Sequence, residues 1–213
     1  MKTTDKQRRF EIIAVLMTGA GKFVFMDWLN WRAFYVIGAC LFWIGFVIYR
    51  YKNDNSVLEY WGFTKTNFKE TFLMLLPLGI ISIALFFLVG NYFDTIIINK
   101  NIIPIILLYP IWGVIQQFIV VALVAGNLRD MENINIPNWA IVLLTSLVFA
   151  VVHFPFVTLV GGTFLLALVY TSIYLKKKNL YVLGLYHGWL GAFYFYTIVG
   201  RDPWAEVFGV LGF

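Results

Sequence analysis

Residues 72–90 and 102–125 run for 19 and 24 positions without a single Asp, Glu, Lys or Arg. At ~1.5 Å rise per residue, about 20 apolar residues cross the ~30 Å hydrocarbon core of a bilayer. A chain with two such runs is a membrane protein unless a large soluble core can absorb them. Its composition leaves no such core. Of its 213 residues 61% are hydrophobic and 13% charged, with a mean hydropathy of +0.81, against roughly 45–50% and about 25% in ordinary soluble domains.

The remaining apolar segments are cut out by short charged interruptions. They cover residues 10–26, 33–49 and 180–200, and two more share 139–175, with a break near His153, Pro155 and the Gly161-Gly162 pair. The expected fold is an all-α polytopic membrane protein, a bundle of about seven transmembrane helices forming one membrane domain over 1–213. Segment 10–26 carries Glu11 and Lys22 near its ends, so a tilted span with snorkelling side chains and a helix lying in the interface both fit it. The stretch Tyr60-Trp61-Gly62-Phe63 to Phe68, with Lys65, Lys69 and Glu70 around it, reads as an amphipathic loop on the membrane surface. The tail 201–213 is expected to dock on lipid or on the bundle. There is no internal repeat, no cleavable signal pattern and no Pro/Gly/Ser-rich linker.

The single cysteine, Cys40, excludes an internal disulfide framework. The net charge of +5 forms no basic stripe, and nucleic acid is therefore excluded as a partner. The charge sorts instead by side. With the N terminus inside and seven crossings, 12 of the 16 Lys and Arg fall on the cytoplasmic side and three on the other, with Lys22 within the first span. Such an excess belongs in the cytoplasm. The expected setting is a prokaryotic inner or plasma membrane with the N terminus cytoplasmic. The lipid bilayer is then the first partner, and Lys176-Lys177-Lys178 is an orientation anchor that also suits anionic lipid.

Polar side chains at membrane depth are costly and point to function. Here they are Gln116, Gln117, His153 and His187, and the two histidines are the only ones in the chain. Counting rises along the spans puts Gln116 and His187 roughly 14 and 10 Å from the cytoplasmic ends of their segments, so those two can meet, while His153 comes out deeper, near 21 Å. The plain alternatives are interhelical hydrogen bonds for the glutamines and satisfied structural hydrogen bonds for the histidines.

These residues carry a family resemblance. Phe149-Ala150-Val151-Val152-His153 matches the Phe-x-x-x-His signature of the CPBP family of intramembrane proteases, the CAAX-protease and bacteriocin-processing (Abi) proteins. His187 matches the first position of that family's His-x-x-x-Asn motif, and Gln116-Gln117 falls where it has Glu-Glu-x-x-x-Arg. The resemblance covers about residues 60–200. It implies a site in which the first glutamate takes a proton from water held by the histidines. In this chain Gln116, Gln117, Val121 and Gly191 stand where the family has Glu, Glu, Arg and Asn, and an amide has no proton affinity at neutral pH. Two expectations follow. In one, the chain is a catalytically impaired family member serving as a scaffold or partner subunit of a membrane complex, and needs no cofactor. In the other, it is an intramembrane endopeptidase of the CAAX-processing type acting on membrane or lipidated peptides, with His153 and His187 as ligands of a zinc ion.

Overall fold

A computed structural model describes residues 3–208. Among these every regular element is helical. The helices are α1 (Asp5–Gly21), α2 (Arg32–Asn53), α3 (Val57–Trp61), α4 (Phe68–Tyr92), α5 (Ile102–Gln117), α6 (Asn127–Asp130), α7 (Asn138–Val151), α8 (Val157–Lys177), α9 (Leu180–Tyr194) and α10 (Pro203–Phe208). Three stretches of wider π-helix, Lys22–Trp28, Phe118–Gly126 and Phe195–Val199, continue α1, α5 and α9 without a break.

Five of these helical runs are long and apolar enough to cross a membrane: Arg32–Asn53, Phe68–Tyr92, Ile102–Asp130, Val157–Lys177 and Leu180–Val199. The other two expected crossings differ. With 14 residues, α7 extends only about 21 Å, and α1 with its extension carries Arg8, Glu11, Lys22 and Asp27. The break between the fifth and sixth segments falls at residues 152–156, while Gly161 and Gly162 lie inside α8.

The contacts gather in two compact units, each built from two pieces of chain: 1–64 with 118–178, and 65–117 with 179–213. In the first unit, α7 and α8 form an antiparallel pair over Val120, Phe149 and Ala167. Rings of Trp43, Phe46, Trp61, Phe63 and Phe118 pack beside one another. Trp61, expected on the membrane surface, is 1% exposed, and its carbonyl accepts from the Tyr174 hydroxyl at 2.9 Å. A reciprocal cap between Thr4 and Gln7 starts α1. The helix buries Arg8, Glu11 and Val15 on one face. The Glu11 carboxylate pairs with Arg50 and accepts from Asn127 Nδ2 at 2.7 Å. The Arg50 guanidinium stands over the rings of Trp61 and Phe46.

In the second unit α5 and α9 pack closely. Pro110 supplies no N–H, which frees the Ile106 carbonyl one turn earlier. The Trp189 indole on α9 donates to that carbonyl at 3.2 Å. A Cβ on Gly113 would strike the backbone of Gly184, and one on Gly188 would strike the backbone of Pro110, so the two helices touch backbone to backbone at these positions. Small residues at such a seam are what lets membrane helices approach without a hydrophobic driving force between them. Beyond the apolar part of α9, Asp202 accepts from the side chains of Tyr196, Asn99 and Asn101 and from the backbone of Ala205. Burial opposes ionisation of Asp202, but those hydrogen bonds outweigh it and hold the carboxyl down to about 2.

Candidate functional site

The glycine seam fixes what meets at membrane depth in the second unit. Gln116 is three residues beyond Gly113, and His187 three beyond Gly184, so each projects from the same face of its helix as the glycine that makes the close approach. The outcome is a direct hydrogen bond: His187 Nε2 lies 2.7 Å from Gln116 Oε1. With the amide oxygen as acceptor, the hydrogen sits on Nε2. The imidazole is therefore engaged as a donor, and its partner is neutral. Both side chains are half-buried.

Gln117 follows on α5 and is 0% exposed. Neither its Oε1 nor its Nε2 has a hydrogen-bond partner. A fully buried amide left in that state is exceptional, and such groups mark strain, bound water or a polar ligand. At Gly191, where the resemblance leads one to expect Asn, a Cβ would come within 3.0 Å of the Tyr109 ring. The aromatic ring of α5 fills the place that a longer side chain at 191 would take. At the fourth departing position, Val121 is 0% exposed in the first unit.

His153 stands elsewhere in the fold. The expectation that it lies inside an apolar span is corrected: α7 ends at Val151, and His153 sits in the turn that leads to α8. Pro155 and the close spacing of the two helices force that turn, since proline cannot continue the hydrogen-bond ladder. The histidine Nδ1 is 2.7 Å from the carbonyl of Phe149, one helical turn back. The Phe149 ring meets the imidazole edge-on with centroids 5.1 Å apart. Bonding through Nδ1 leaves Nε2 as the basic nitrogen. The ammonium of Lys22 donates to the Phe154 carbonyl at 2.5 Å and pairs with Asp27 at 2.6 Å, pinning the turn to the end of α1. His153 belongs to the first unit, and Gln116, Gln117 and His187 to the second. The structure brings Gln116 and His187 together within one unit.

Two histidines make a metal site only with further donors, and structural or catalytic zinc takes at least three protein ligands. No group of three or more His, Cys, Asp or Glu among the described residues is placed to hold a metal ion. The amide oxygen of Gln116 beside His187 is a poor zinc ligand. Within the second unit, His187 and Gln116 by themselves do not supply three ligands.

One polar centre is not legible in the sequence, where Glu11 fits either a snorkelling end of a tilted span or a helix lying in the interface. Glu11 is 1% exposed and tied to Arg50 and Asn127. The available signal was that Glu11 near the start of α1 and Arg50 near the end of α2 fall at the same membrane face with opposite charge.

The helices define the class: this is an integral, multi-pass, all-helical membrane protein. The family model described as Rce1-like, type II CAAX prenyl endopeptidase Rce1-like, matches residues 98–193, somewhat under half of the 213 residues. Over that stretch the chain is similar to the Rce1-like family, and the stretch contains Gln116, Gln117, His153 and His187. No curated protein and no solved structure gives a significant match.

Proposed function

We propose that this CPBP-type membrane protein is catalytically impaired and serves as a scaffold or partner subunit in a membrane complex. The observation that carries the reading is the hydrogen bond from His187 to Gln116. In the resembled mechanism that position takes a proton from water. A neutral amide cannot, and loss of a positioned base costs about 10²–10⁴-fold. The other departures compound it. Gln117 brings no charge, Val121 replaces a cation, and the Tyr109 ring occupies the space beside Gly191. The distribution of Lys and Arg supports a cytoplasmic N terminus.

One observation favours an alternative. The matched family is described as a prenyl endopeptidase, and Phe149, His153 and His187 keep its pattern, which supports an endopeptidase acting on membrane or lipidated peptides. The two readings part in a cleavage assay. Purified full chain in detergent is expected to hydrolyse a panel of prenylated and transmembrane peptides no faster than His153→Ala and His187→Ala. Turnover by the wild type that both variants abolish overturns the scaffold reading.

A further inference from the structure

We propose that α1 and α7 give the first unit a lipid-facing surface whose apolar band is about 9 Å shorter than the ~30 Å hydrocarbon core of a bilayer, so that the membrane thins along it. The length is set by α7. Its 14 residues extend about 21 Å, and its outward face, with Leu143, Leu147 and Val151, is exposed. Non-helical chain flanks it on both sides, at 131–137 and 152–156. Lipid-exposed irregular backbone does not occur within the hydrocarbon region, because its peptide groups find no water there. The hydrocarbon layer beside α7 therefore has to fit between those two segments, and any tilt of the helix only shortens the fit.

The same length comes from α1, which is fastened to both ends of α7. Asp5, in its first turn, accepts from the backbone N–H groups of Glu132 and Asn133 ahead of α7. Lys22, just past its last turn, donates to the Phe154 carbonyl behind α7. The exposed side chains of Phe10, Ile13, Leu16 and Met17 lie between Arg9 and Lys22, which are 13 positions and about 20 Å apart. A lysine near the edge of a span can snorkel outward to reach water. The Lys22 ammonium is instead held in place by Asp27 and by the Phe154 carbonyl, which fixes a polar boundary at the turn after α7. In contrast, α4 runs for 25 residues, about 37 Å, and covers a full-thickness bilayer. Thinning costs little per ångström, whereas each peptide group submerged without a partner costs far more, so the lipid yields and not the fold. The surface is independent of the proposed function and stands whether or not the chain cleaves peptides.

The test is spin labelling of the full chain in dioleoylphosphatidylcholine bilayers, with Cys40→Ala as the background. The labelled variants are Asn138→Cys, Leu143→Cys, Leu147→Cys and Val151→Cys on α7, and Leu73→Cys and Leu88→Cys on α4, all at exposed positions. Collisions with oxygen mark hydrocarbon, and collisions with a nickel chelate mark water. The labels at 138 and 151, about 20 Å apart, are both expected to be nickel-accessible, with those at 143 and 147 in hydrocarbon. The labels at 73 and 88, about 22 Å apart, are expected to lie in hydrocarbon at both ends. Circular dichroism melting reports whether each variant folds. Where one does not, Trp139→Cys stands in for Asn138→Cys and Phe154→Cys for Val151→Cys. A hydrocarbon-like label at either end of α7 overturns the proposal. Shielding of 143 and 147 from both reagents means that protein covers the surface, and overturns lipid as its partner.

Discussion

The two units carry buried polar centres of opposite character. In the first, Glu11, Arg50 and Asn127 form a charged cluster whose members answer one another, and Asn127 also donates to the Leu123 carbonyl at 2.8 Å. In the second, the polar groups at membrane depth are neutral, with Gln116 bonded to His187 and the Gln117 amide left without partners. Charge in the first centre ties α1, α2 and α6 together, whereas the second offers only a neutral amide and imidazole to one another. A buried ion pair is weak evidence for stability as such, yet breaking one half leaves an uncompensated charge. A neutral pair has no such asymmetry.

The largest expected effect lies in the charged centre. Glu11→Ala strands the Arg50 guanidinium, and a loss of about 3–5 kcal/mol follows from breaking a buried pair. It would be read as a fall in the melting temperature of the detergent-solubilised chain. Glu11→Leu combined with Arg50→Met is expected to recover most of the loss, and a double variant no better than Glu11→Ala would show that the two groups do not act as a pair. Next comes the glycine seam. Gly113→Leu drives a side chain into the Gly184 backbone, with a cost of about 1–3 kcal/mol or more for overpacking. It also separates Gln116 from His187, which a disulfide-trapping experiment with cysteines at 116 and 187 would register as lost cross-linking.

The neutral glutamines should respond in opposite directions. Gln116→Met removes the acceptor from His187 Nε2 and is expected to lower stability by about 1 kcal/mol, while Gln117→Met deletes an unsatisfied buried amide and is expected to raise it by about 1–3 kcal/mol. A melting temperature that falls with Gln117→Met would mean that the amide has a partner, such as a bound water or ligand, and would break the comparison.

How much of this was legible in the sequence differs with the physics of each part. The apolar runs at 72–90 and 102–125 announced membrane helices, because hydrophobic length is a property of residues alone. The Phe149-to-His153 spacing and His187 carried the family resemblance, and the Rce1-like family model matches the stretch that holds them. Hydrophobic counting also brought Gln116 and His187 to similar depth, and the glycines at 113, 184 and 188 explain why they touch. What the counting missed depends on pairing in space. The burial of Trp61 requires α3 to fold under other elements, and the burial of Glu11 requires Arg50 from a separate helix. The break expected near His153 and Pro155 falls there, but the apolar run through Val151 and Val152 hides that α7 has already ended and that His153 lies in the turn.

The smallest effect is electrostatic and lies outside the spans. The hydrogen bonds around Asp202 hold its carboxyl down to about 2, below the usual value near 3.9. A depressed carboxyl contributes stability that is present above its unfolded value and is lost as pH falls toward its folded one. A slight drop in melting temperature between pH 4 and 2, absent in Asp202→Asn, is expected. Because the group is partly open to solvent, screening keeps the effect small.

The central claim is that the site lacks more than one missing base. Peptide hydrolysis by the Gln116→Glu, Gln117→Glu double variant tests it most directly, since both carboxylates return while Val121 and Gly191 stay. The account predicts no turnover above His187→Ala on prenylated or transmembrane peptides. Robust hydrolysis by the double variant would contradict it.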